Sequence, residues 1–282
     1  MNNVFDIKRF GKYFMYDLNN ARGNYAVSAL VIGLLPLILL VFTVIFSLLF
    51  DGEVRPIMFP MKVTILVCAF FICMLSGPVK LYGSLTERRS GSDWLMLPAS
   101  SFEKFLSMSI MLCIVLPLAV FGLFAICDLL LSWVVPVYGE SVVGQICNGV
   151  DSLESFLGDS FENANSLLGV TAGSTYLMGW LSWCASVLPF GLGAICFKRG
   201  KAAKTILCII GVQILFSIIL LTLFRGGAQN GFELGQRIVS FFGDMTPEKL
   251  QTLSNAFINI SYFVTIGGLL AGLFFRIKTI KQ

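Results

Sequence analysis

The sequence predicts an all-α, polytopic membrane protein with six transmembrane helices, cytoplasmic N- and C-termini and an N-terminal interfacial helix. Three observations predict it. Of the 282 residues, 56% are hydrophobic and only 13% are charged, whereas a soluble domain carries about 25% charged residues. The apolar excess is gathered into six long blocks. Lysine and arginine are concentrated in alternate loops between those blocks.

The blocks are 25–50, 61–82, 105–135, 171–197, 205–224 and 256–275. A helix needs about 20 apolar residues to cross a hydrocarbon core about 30 Å thick. Hydrocarbon offers backbone N–H and C=O groups no water partners, so such blocks must be helical. The alternation a β-barrel strand needs is missing from runs such as 34–50. The second block is the shortest, with Lys62 and Lys80 at its ends, both expected to snorkel to the interfaces.

Orientation follows from the loops. With the termini inside, Lys8, Arg9, Lys12, Arg22, Lys80, Arg88, Arg89 and Lys104 are inside. So are Lys198, Arg199, Lys201, Lys204, Arg276, Lys278 and Lys281. That leaves Arg55, Lys62, Arg225, Arg237 and Lys249 outside, a split of fifteen to five among the 20 basic residues. The loop 136–170 has no Lys or Arg, but carries Glu140, Asp151, Glu154, Asp159 and Glu162. The first block starts too late and runs too long for a signal peptide.

Segments outside the blocks carry patterns of their own. In 1–24, Phe10, Phe14 and Leu18 recur at helical spacing opposite Lys8, Arg9 and Lys12. This predicts a helix lying in the inner interface. In the loop 83–104, Ser92 can cap a short helix that Pro98 stops. Ser100 and Glu103 then have capping-box spacing and start the third span. The short helix would carry Trp94 and Leu95 beside Glu87, Arg88, Arg89 and Asp93. Apolar side chains rimmed by charge suit a docking site; Trp94 as a plain interfacial anchor is the alternative. Residues 151–168 and 232–242 read as outer amphipathic helices, and Thr246-Pro247 reads as a helix start.

Much chemistry is excluded. With no histidine there is no His-based acid–base catalysis, metal site or pH switch. The eight cysteines form no C-x-x-C pair, so neither a metal nor a redox motif is implied. Gly11-Lys12 and Gly200-Lys201 lack the rest of a P-loop, so the chain carries no ATPase motif of its own. No cofactor, metal, catalytic residue or nucleic-acid partner is expected; membrane lipid is. Asp128 is the only acid well inside a block and is the candidate intramembrane polar site. Counted along the helix it falls near the outer interface, where a wetted helix end is the plainer expectation. Gly268-x-x-x-Gly272, with Gly191 and Gly193, suits close helix packing. Pro36, Pro78, Pro117 and Pro189 are candidate kinks.

Two patches carry a family resemblance: Phe5-Asp6-Ile7-Lys8-Arg9-Phe10-Gly11-Lys12-Tyr13, and Arg88-Arg89-Ser90-Gly91-Ser92-Asp93-Trp94-Leu95-Met96-Leu97-Pro98-Ala99-Ser100-Ser101-Phe102-Glu103-Lys104. With the topology, they make the chain resemble the membrane (permease) subunit of an ABC transporter, of the type-2 permease superfamily as found in Bacteroidota-like bacteria. The resemblance implies a bacterial inner membrane, an interfacial helix before span one and outer helices between spans five and six. It also implies a coupling helix in 83–104. The partners implied are a separate ABC ATPase subunit and a second permease copy or a sister permease. The ATPase contact would then be made by Glu87, Arg88, Arg89, Asp93, Trp94 and Leu95. The implied function is ATP-driven export, or extraction of a substrate from the membrane. The insert 136–170 is not a usual family feature. Two other readings are a non-transporting sensor or assembly factor, and an ion-coupled secondary transporter.

Overall fold

A computed structural model describes residues 5–50, 56–86, 94, 96–144, 172–226 and 247–279. Among the described residues every regular element is helical. In chain order they are α1 (Ile7–Gly33), α2 (Leu35–Phe50), α3 (Phe59–Tyr82), α4 (Ser101–Ile110), α5 (Leu116–Val134), α6 (Ala172–Cys196), α7 (Lys201–Gly226) and α8 (Pro247–Thr279). A π-helical turn, Met111–Val115, joins α4 to α5 in one continuous rod. Among the described residues five helical stretches are long and apolar enough to cross a membrane, or up to six where the bent pair α1–α2 counts as one span. They fall on the apolar blocks of the sequence. The outer amphipathic segments expected at 151–168 and 232–242 lie outside the described residues, while α8 starts at Pro247 as its sequence suggests.

The first helix departs from expectation. A separate interfacial helix ending near residue 24 would leave a break before the span. Instead α1 is capped by Asp6, whose carboxylate accepts from the Lys8 N–H at 2.9 Å, and runs unbroken through Tyr25 to Gly33. The reason is one row of residues at i+4 spacing. Tyr13, Asp17, Tyr25, Ala29 and Gly33 are all buried, with Ala21 partly so. Phe10 and Phe14 are only half-buried and Leu18 is exposed. The row crosses the expected boundary without interruption, so the packing does too. The bend, 40° between α1 and α2, falls at Leu34. Pro36 has no N–H to offer the carbonyl of Ile32 and its ring crowds that carbonyl.

α6 is the central helix. Over Gly179–Cys196, 56% of its residues are buried, against 6% of the 18-residue apolar stretch within each of Lys201–Ile219 and Ile258–Thr279. It packs against α3, α7, α8 and the π turn. Trp183 stands between Phe70 and Phe121, with edge-on ring contacts at 5.0 and 5.5 Å. Glycine sets the closest approaches. A Cβ on Gly33 would lie 2.6 Å from Leu123 Cβ, and one on Gly191 would lie 2.6 Å from Leu112 Cδ1. Of the expected Gly268/Gly272 pair, only Gly272 meets a neighbour, Leu192; Gly267 and Gly268 face open space.

Polar clusters gather at the two ends of the rods. Lys62 and Tyr82 are 20 positions apart on α3, about 30 Å at helical rise. Ser107 and Asp128 are 21 positions apart on the α4–α5 rod, about 31 Å. Both spacings match the thickness of a hydrocarbon core.

Candidate functional site

At the end of the bundle where α1 begins and α3 ends, four chain segments converge. The capping box forms: Ser100 Oγ accepts from the Glu103 N–H at 3.2 Å, and Glu103 Oε2 accepts from the Ser100 N–H at 2.8 Å. Glu103 does more than cap its own helix. Its carboxylate also accepts from the Asp6 N–H at 3.1 Å and from the Arg9 guanidinium at 2.7–3.1 Å. One fully buried carboxylate thus fastens the start of α1 to the start of α4. It precedes the apolar block at 105, so it lies ahead of the span. The Arg9 guanidinium, helped by the two backbone N–H groups, holds it down to about 2.

Of the expected ATPase-contact residues, Glu87, Arg88, Arg89, Asp93 and Leu95 lie outside the described residues. Trp94 is described, and it is turned inward. Its indole N–H donates to the Tyr13 hydroxyl at 2.9 Å, and its carbonyl accepts from Lys104 Nζ at 2.8 Å. The same ammonium sits 4.4 Å from the centre of its ring. Met96, two positions on, is 76% exposed. The other end of the loop is held by Lys201 Nζ, which donates to the Gly83 carbonyl. Deeper in, Asp17 accepts from the hydroxyls of Tyr82 at 2.8 Å and Ser107 at 2.7 Å, linking α1, α3 and α4. The Phe10, Phe14 and Leu18 spacing that predicts an interfacial helix does not point to Asp17; the i+4 pair Tyr13–Asp17 does.

Asp128 sits at the opposite end, and it is not a wetted helix end. It is fully buried. Its carboxylate accepts from the Tyr138 hydroxyl at 2.6 Å and from the Val143 N–H at 3.2 Å. Lys62 is buried as well. It is 3% exposed and donates to the carbonyls of Tyr138 and Glu140. Its ammonium lies 4.0 Å from the centre of the Tyr138 ring. Tyr138 therefore stands between cation and carboxylate, its ring to one and its hydroxyl to the other. Gly139, at φ 71°, turns the chain there, and its carbonyl accepts from Ser132 Oγ. The segment following α5 folds back over its own helix end and buries both charges.

Midway along the rod, two carbonyls lose their helical donors. Pro117 has no N–H for the carbonyl of Cys113. The π register sends the Leu116 N–H to Met111 instead of Leu112. Two tryptophans of α6, three positions apart, replace those donors. Trp180 Nε1–H donates to the Cys113 carbonyl at 3.1 Å and Trp183 Nε1–H to the Leu112 carbonyl at 3.2 Å. Neither indole stood out in the sequence, because the need for each arises only on another helix. Among the described residues no cluster of His, Cys, Asp or Glu could hold a metal ion.

The chain matches no family model, no curated protein and no solved structure.

Proposed function

We propose that the chain is the transmembrane permease subunit of an ATP-driven ABC exporter, with both termini in the cytoplasm of a bacterium. A separate ATPase subunit drives it through the loop 83–104, and a second copy or a sister permease completes the pathway. The Arg9–Glu103 contact carries this reading. It joins the two sequence patches on which the family resemblance rests, the segment that opens α1 and the loop that leads into α4.

A push on the loop would pass through Glu103 to the first turn of α1 and through Gly83 to the end of α3. Packed helices then move as rods rather than deform. The bend at Leu34 and the π turn at Met111–Val115 are the points where the rods can yield. Trp94 anchors the loop in this scheme. The ATPase contact falls to exposed Met96, to Leu95 and to the charged rim of Glu87, Arg88, Arg89 and Asp93, which selects the partner. The test is Arg88→Glu combined with Arg89→Glu, in a chain whose melting temperature in detergent is unchanged. Recovery of an ATPase subunit from native membranes should fall sharply. Undiminished recovery would refute the loop as the docking element.

A further inference from the structure

We propose that the groove between α1 and α5 is a binding site for one anionic phospholipid, with an acyl chain in the groove and its phosphate on Arg22. The inference needs the membrane-spanning architecture but not the permease reading.

The groove exists because side chains are missing where the two helices part. They touch at Gly33 and Leu123. Towards the start of α1, Ala26 and Ala29 face Ala119, and nothing longer fills the gap. A cavity of about 580 Å³ results, open along one side. That volume is within the range of about 300–1,000 Å³ typical of small-molecule sites. Leu30, Met111, Val115 and Leu116 complete apolar walls. Tyr25 contributes only its ring, because its hydroxyl is taken up by Cys73 and Ser76. A dry groove beside hydrocarbon forfeits contacts on one whole side, and an acyl chain restores them.

The charge selects the headgroup. Arg22 and Asn19 supply the charged and amide groups of the lining. Arg22 is exposed and makes no ion pair among the described residues. Side chains on a helix lean towards its N-terminus, so the guanidinium is carried towards Asn19 and away from Ala26. From Arg22 to Leu30 the groove runs about 12 Å at helical rise. A cation at one end of a greasy slot fits a phosphate with a chain attached. A basic pocket between membrane helices is the geometry that holds such lipids. Met111 and Val115 place the π turn in the groove wall, so a bound chain touches the π turn of the α4–α5 rod.

The experiment reconstitutes the full chain in nanodiscs of equal phosphatidylglycerol and phosphatidylcholine, then counts retained lipids by native mass spectrometry. One phosphatidylglycerol per chain is expected to remain. Arg22→Gln should cut the preference for it about fivefold, while Lys198→Gln leaves it unchanged. Ala119→Leu and, from the facing helix, Ala26→Leu should each expel the lipid whatever its headgroup. Retention of the preference in Arg22→Gln overturns the proposal, as does retention of the lipid in both filled variants. Displacement by soluble glycerol phosphate would overturn the lipid as the source of the phosphate. Filled variants that break a dimer while keeping the lipid would assign the groove to a second copy instead. No ATPase enters the measurement, so this result and the ATPase-recovery result can fail separately.

Discussion

Trp180→Phe removes one hydrogen-bond donor and little packing, because Trp180 is 48% exposed on the outside of the bundle. What it leaves behind is the Cys113 carbonyl, whose own helical donor is absent because residue 117 is proline. In hydrocarbon no water replaces it. A neutral hydrogen bond contributes about 0.5–1.5 kcal/mol net, and bonds between membrane helices average about 0.6 kcal/mol with a ceiling near 1.7. A loss of about 1 kcal/mol follows, about 2–4 °C in melting temperature for a domain approaching this size. The structure also names the cure. Pro117→Ala places an N–H one helical turn beyond the Cys113 carbonyl, so it should restore the lost donor. Pro117→Ala alone should then be nearly neutral, Trp180→Phe alone destabilising, and the double variant close to wild type. A coupling of about 1 kcal/mol is expected between two positions on different helices. Thermal unfolding in detergent can be followed with a thiol-reactive dye, since Cys73 and Cys184 are buried in the folded chain. If the double variant loses as much as the sum of the singles, the shared-carbonyl reasoning is wrong.

Two further outcomes follow from the packing and the charges. Gly33→Ala should lose about 1–3 kcal/mol, since its Cβ would meet Leu123 Cβ at 2.6 Å. Gly267→Ala, with nothing within 4 Å, should instead gain up to about 1 kcal/mol from helix propensity, and equal melting shifts for the two would refute the close contact. Glu103→Gln removes the charge that Arg9 holds. Because the folded carboxyl is lowered from 4.5 to about 2, its stabilisation is complete above 4.5 and fades as pH falls towards 2. The gap in melting temperature between wild type and Glu103→Gln should be flat from about pH 8 to 5 and close below about 4.5; a gap that narrows already near neutrality would refute the pairing.

The capping box at Ser100 and Glu103, the start of α8 at Pro247 and the long apolar helices were all legible in the sequence, because each depends on neighbours within one or two helical turns. Composition and block length already demand helices in hydrocarbon, whatever surrounds them. Periodicity also held the row Tyr13–Asp17–Ala21–Tyr25–Ala29–Gly33, but a competing row of phenylalanines in the same segment masked it, since both have helical spacing. What the sequence could not decide was which distant groups satisfy which. Counted along its own helix Asp128 reads as a wetted end, because nothing near it in the chain marks Tyr138 as the group that stands between it and Lys62. Glu103 was a cap by spacing, and became the tie to α1 only when Arg9 and Asp6 were brought to it across more than ninety residues. Two orphaned carbonyls on one helix were matched to two indoles on another by the packing of the rods alone. Local hydrogen bonds and solvent preference act along the chain, so they can be read from it; the pairing of polar groups inside a bundle depends on distances that only the assembled helices set.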